Sequence, residues 1–121
     1  MSQTTTVEEL IAKLSADNIE QTLTTFSDFY NRYYTSETGK DASDWLLEQV
    51  QATIDASEAT GATAKAFEHS WTQSSIIATI PGKSTDKIIV GAHLDSVNGG
   101  NRSGRAPGAG KLLNYSIRLV I

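Results

Sequence analysis

Cysteine is absent from the 121 residues, so neither a disulfide framework nor a thiolate nucleophile can be built, while the compartment stays open. Proline occurs only as Pro81 and Pro107. No apolar run approaches the roughly 20 residues that cross a bilayer, and no membrane partner is expected. The opening Met1-Ser2-Gln3-Thr4-Thr5-Thr6 has no basic stretch followed by an apolar core, so no signal peptide is visible. Basic residues are also few: 10 Lys and Arg against 14 Asp and Glu give a net charge of −4. Without a basic stripe, no nucleic-acid partner is expected. The chain shows no internal repeat, linker or low-complexity tract.

What is present suits one small α/β domain, with 39% hydrophobic and 20% charged residues, an ordinary balance for a globular chain. Thr6 and Glu9 have capping-box spacing, and Val7, Leu10, Ile11 and Leu14 share one helical face. Asp17 and Glu20 offer a second box for a helix to about Tyr30, with Ile19, Leu23, Phe26 and Tyr30 as its apolar stripe. Both stripes are expected to be core. Residues 31–40 form a polar connection anchored by Tyr33 and Tyr34. From Asp41 or Ser43 a third helix runs to about Ala59 with Trp45, Leu46, Leu47, Val50 and Ile54 on its apolar side, and Gly61 ends it.

The pattern then becomes extended. Residues 63–68 and 75–80 read as strands joined through His69-Ser70-Trp71, and Pro81-Gly82 opens a turn. Residues 87–96 read as a third strand, buried on both faces because Ile88, Ile89 and Val90 are consecutive rather than alternating. His93 and Asp95 lie at its end, on the same side of an extended chain. An imidazole with a carboxylate beside it is a metal-ligand pattern, because the carboxylate fixes the tautomer that leaves the other ring nitrogen free. A zinc site needs about three or four protein ligands, and His69 is the one other histidine.

Six blocks in order carry a family resemblance: Asn31-Arg32-Tyr33-Tyr34-Thr35, Ala42-Ser43-Asp44-Trp45-Leu46, His69-Ser70-Trp71, Ser75-Ile76-Ile77-Ala78, Val90-Gly91-Ala92-His93-Leu94-Asp95-Ser96 and Gly104-Arg105-Ala106-Pro107-Gly108-Ala109. They resemble the N-terminal part of the co-catalytic zinc aminopeptidases, of the leucyl-aminopeptidase or peptide-hydrolase type found in fungi and bacteria. The resemblance covers about residues 16–109. Residues 1–15 look like the end of a pro-segment or the start of a mature chain, and residues 110–121 form a tail outside the family pattern. The resemblance implies a zinc-exopeptidase fold, a mixed β-sheet sandwiched by helices, here truncated. It also implies that His93 is the first zinc ligand, that Asp95 orients it, and that His69 is structural. Peptides would be the substrates, two zinc ions the cofactors, and export from the cell the usual destination. The zincs polarise the scissile carbonyl and acidify a water, while a glutamate takes its proton.

The pattern breaks at Gly110. Where the family continues with three aspartates, the middle one bridging the metals, this chain has Gly110, Lys111 and Leu112. A lysine ammonium repels the cations that a bridging carboxylate holds. The catalytic glutamate and the other ligands lie beyond Ile121 in the family, so the 121-residue chain is expected to be inactive. Gly110-Lys111-Leu112 can be encoded with GTAAGT, the usual start of a eukaryotic intron, so the last twelve residues read as translated intron. An Ile-Ile-Val strand without its later neighbours is expected to expose backbone and apolar surface and to self-associate. Two other classes of function stay open: a non-catalytic fragment that pairs with a full-length relative, and the remnant of a glutaminyl-cyclase-like, single-zinc enzyme of the same fold. Asn101-Arg102-Ser103 and Asn114-Tyr115-Ser116 are glycosylation sequons that matter only in a secreted chain.

Overall fold

In a computed structural model, residues 3–108 are described, and they form three helices followed by an antiparallel pair of strands. The predicted tail, Ala109 of the last family block and the Asn114 sequon lie outside the described residues. Helix α1 spans Thr4–Ile11, α2 Ala16–Asp28 and α3 Glu37–Ala56. Strand β1 spans Thr63–Phe67 and β2 Ser75–Thr79, paired in a register that sets Thr63 opposite Thr79 and Phe67 opposite Ser75. Helix α3 packs across both strands. The α/β class expected from the sequence is therefore present.

The helix starts differ from the sequence expectation for local reasons. Ser15, not Asp17, caps α2 by accepting from the Asn18 N–H. Helix α3 begins four residues before Asp41, because the Ser36 hydroxyl accepts from the Gly39 N–H at 3.0 Å. Glycine in a first turn conceals a helix start from propensity reasoning. Here it is required, since a Cβ at Gly39 would overlap the Tyr33 carbonyl oxygen. That oxygen is fixed by the Ser36 N–H at 2.9 Å and the Ser36 hydroxyl at 2.8 Å.

A prediction follows for Gly39→Ala. Helix propensity alone would add about 1 kcal/mol of stability. Overpacking against a fixed neighbour costs about 1–3 kcal/mol, and a backbone carbonyl held by two donors cannot swing aside, so the cost wins. The variant should melt at a lower temperature by far-UV circular dichroism, and a higher melting temperature would contradict the assignment.

Two packing expectations fail. The apolar stripes of α1 and α2 were expected to be core, yet neither helix buries a residue, and Val7, Leu10, Ile11, Leu14, Ile19 and Leu23 are all exposed. The C-terminal end of α2 packs on α3, where Phe26 stacks on Trp45 at 5.7 Å and Phe29 meets the same ring edge-on at 6.1 Å. The third strand is also missing. Residues 87–96 contain a single isolated bridge at Gly91, and Ile88, Ile89 and Val90 are 90%, 78% and 64% exposed. A strand is stabilised by its neighbours, and β-branched residues acquire strand geometry only when another backbone pairs with them.

The buried centre is polar instead. Among the described residues Ala42 is the sole buried hydrophobic one, and the buried polar or charged residues are Asn31, Arg32, Ser43, Gln73 and Ser96. Such a centre is tolerable only when every polar atom is paired, and no buried side-chain nitrogen or oxygen among the described residues lacks a partner.

Candidate functional site

The loop between α2 and α3 builds one wall of the site. Asn31 folds it back on itself: its Oδ1 accepts from the Tyr33 N–H at 3.3 Å and the Thr38 hydroxyl at 2.9 Å. This is an Asx-type turn, which uses a short side chain to replace backbone pairing. The turn aims Arg32 inward, where it is 4% exposed. The expected anchors, Tyr33 and Tyr34, stay partly exposed, and the buried anchor is the polar pair before them.

Arg32 then ties three distant segments together. Its Nε donates to the Leu94 carbonyl at 3.0 Å, and Nη1 donates to the Phe26 carbonyl at 3.0 Å and the Pro107 carbonyl at 2.5 Å. Its guanidinium carbon lies 4.1 Å from the centre of the Phe26 ring, within cation–π range. The backbone joins in, with the Arg32 N–H donating to Ser96 Oγ at 3.1 Å and the Ser96 N–H returning to the Arg32 carbonyl at 3.2 Å. Ser96 Oγ donates onward to the Ala106 carbonyl at 2.5 Å, and Gln73 Nε2 bridges the Arg32 and Gly39 carbonyls. Burial pushes the Arg32 guanidinium down from its ordinary value and the nearby Asp95 carboxylate pushes it back up. It stays charged, because an arginine is not deprotonated in proteins.

His93 and Asp95 stand just outside this hub. His93 Nδ1 lies 2.5 Å from Asp95 Oδ1, with the histidine side chain 88% exposed and the aspartate 26%. With its proton on Nδ1, directed at the carboxylate, the ring keeps a lone pair on Nε2 for a Lewis acid. The two-residue alternation thus brings this pair together even without a regular strand. Leu94, between them, offers its carbonyl to Arg32, so the segment is held from behind. Beside Asp95 opens a cleft of about 500 Å³, walled by Tyr34, His69, Trp71, Gln73, Ala92 and Leu94.

His69 is packed. Its ring stacks on Trp71 at 4.3 Å, meets Phe67 edge-on at 5.1 Å, and places Nε2 2.9 Å from Ser75 Oγ. Among the described residues no group of three or more His, Cys, Asp or Glu side chains is placed to hold a metal ion. Within residues 3–108 His93 thus has Asp95 beside it and no third side chain of these types placed to complete a metal-holding group. Sequence reasoning missed Gln73 and the role of Arg32 and Ser96. The available signal was a buried-type arginine inside a block otherwise made of turn residues and tyrosines.

No protein-family model matches the chain. Individual relatives do, and they are peptidases by name. Leucine aminopeptidase 1 of Arthroderma otae is 52% identical over 106 residues, which is 85% of this chain and 28% of that protein. Leucine aminopeptidase 1 of Blastomyces gilchristii is 49% identical over 98 residues, 81% of this chain and 26% of that protein. The protein of the same name in Neurospora crassa is 52% identical over 93 residues, 76% of this chain and 23% of that protein. The chain is thus similar to leucine aminopeptidases over about four fifths of its own length and spans about a quarter of the length of these relatives.

Proposed function

We propose that this chain corresponds to the N-terminal quarter of a two-zinc leucine aminopeptidase with a zinc-exopeptidase fold, and that by itself it does not hydrolyse peptides. One observation carries this reading: an exposed imidazole whose Nδ1 is held by a carboxylate, on a segment braced from below by a buried arginine. His93 is the protein ligand and Asp95 its orienting partner. Zinc, when bound in a complete site, supplies a Lewis acid for the carbonyl and an acidified water. The residues 110–112, Gly-Lys-Leu, support inactivity, since none offers an anionic oxygen. The resemblance favours an exported protein, with residues 1–15 preceding the peptidase part. The test is turnover of a leucyl chromogenic substrate by the purified chain with added zinc. No rate above that of His93→Ala is expected, and zinc-dependent turnover would overturn the reading.

A second reading, an interaction fragment, is favoured by the exposed Ile88-Ile89-Val90 run. A contiguous, exposed apolar run invites pairing with another chain. Under this reading the chain sediments as more than a monomer and Ile88→Lys with Val90→Lys restores the monomer. A monomeric parent chain would remove the support.

A further inference from the structure

We propose that Arg32 is a positioning residue that locks the segment bearing His93 and Asp95 to the loop ending at Gly108, and so sets where His93 stands relative to whatever follows that loop. The inference rests on the reading of His93 as a metal ligand given above, but its geometry is independent of it. One guanidinium reaches carbonyls on both segments, Leu94 on one and Pro107 on the other. Its own backbone grips Ser96, whose hydroxyl is bonded to Ala106. The loop is further tied by the Ala106 N–H to the Tyr30 carbonyl at 2.8 Å, and by Asn31 Nδ2 to the Gly104 carbonyl at 3.3 Å.

Gly108 shows how tight the lock is. Its φ is +68°, a conformation costly for other residues, and a Cβ there would overlap the Arg32 guanidinium and lie 2.6 Å from Ser96 Cβ. The loop thus runs directly over the arginine. Lysine cannot substitute, because a single ammonium lacks the planar fork that reaches divergent acceptors. Arg32 acts through the segments it holds and does not itself contact the metal-facing nitrogen of His93.

The test uses the 121-residue chain with Co²⁺ alone as a paramagnetic probe, read by amide NMR. In the parent chain, Co²⁺ at His93 should broaden the amides of residues 92–96 and also those of Gly104, Ala106 and Gly108. Arg32→Lys should keep the broadening at 92–96 and lose most of it at 104–108, a several-fold drop that a general loss of stability would not confine to one segment. Equal broadening of both segments in Arg32→Lys would overturn the proposal. Hydrogen exchange of the parent chain decides the matter even if Arg32→Lys fails to fold. The Ser96 and Ala106 N–H groups should open together at one rate, and a much faster Ala106 would overturn the lock. Absence of any Co²⁺ effect near His93 would instead refute the metal-ligand reading and leave the exchange comparison to judge Arg32.

Discussion

Arg32→Ala should abolish the folded state of this chain, read as loss of near-UV circular dichroism from Trp45 and Trp71 and of the cooperative melt. Truncation strands three carbonyls, of Phe26, Leu94 and Pro107, that now receive charged donors. A hydrogen bond to a charged group is worth about 1.5–3 kcal/mol, and each buried acceptor left unpaired costs about 1–3 kcal/mol. Domains typically have only about 5–15 kcal/mol of stability. This one starts low, because Ala42 is the sole buried hydrophobic residue among the described ones and Val7, Leu10, Ile11, Ile19 and Leu23 on α1 and α2 are exposed. The lost hub is therefore larger than any hydrophobic reserve. By contrast, Leu10→Ser on exposed α1 should change stability by no more than about 0.5 kcal/mol. A cooperative melt in Arg32→Ala would show that the centre lies elsewhere.

The second large effect needs a complete site. Fused at Ala109 to the corresponding remainder of the Arthroderma otae relative, residues 1–109 should give zinc-dependent leucyl aminopeptidase activity, which residues 110–121 in their place do not. Within that chimera the two residues of the pair should separate by magnitude. Removing a carboxylate that only orients a histidine ligand typically costs about 10–100-fold in metal affinity or activity, and that is the loss expected of Asp95→Asn. His93→Ala removes the ligand itself, so its loss should exceed that of Asp95→Asn, with metal content falling in parallel. Steady-state kinetics beside metal analysis of the purified variants make the comparison. Equal, small effects at both positions would mean that the pair is a surface contact without a part in the chemistry.

The elements that could be read from sequence were those decided by local patterning. Three amphipathic periodicities gave three helices, and two β-rich runs around a short connection gave the β1–β2 pair. Starts were misplaced where the signal was a single side chain, as with Ser36 ahead of Gly39. Burial was misjudged wherever it depends on a partner: the stripe Val7, Leu10, Ile11 and Leu14 is amphipathic as expected, but nothing within residues 3–108 covers it. The same reason removes the third strand, since within residues 3–108 no strand pairs along Ile88, Ile89 and Val90. The meeting of His93 and Asp95 was legible because it follows from two-residue alternation. The hub beneath them was not. Arg32 meets Ser96 across 64 positions and Pro107 across 75, separations that leave no periodic trace in a sequence.

Calorimetric titration of the purified chain with zinc, run beside His93→Ala, tests the central claim most directly. One weak site that disappears in His93→Ala is the result predicted for a lone, correctly oriented ligand. Tight binding of two zinc ions, or binding of any strength that is indifferent to His93→Ala, would contradict it.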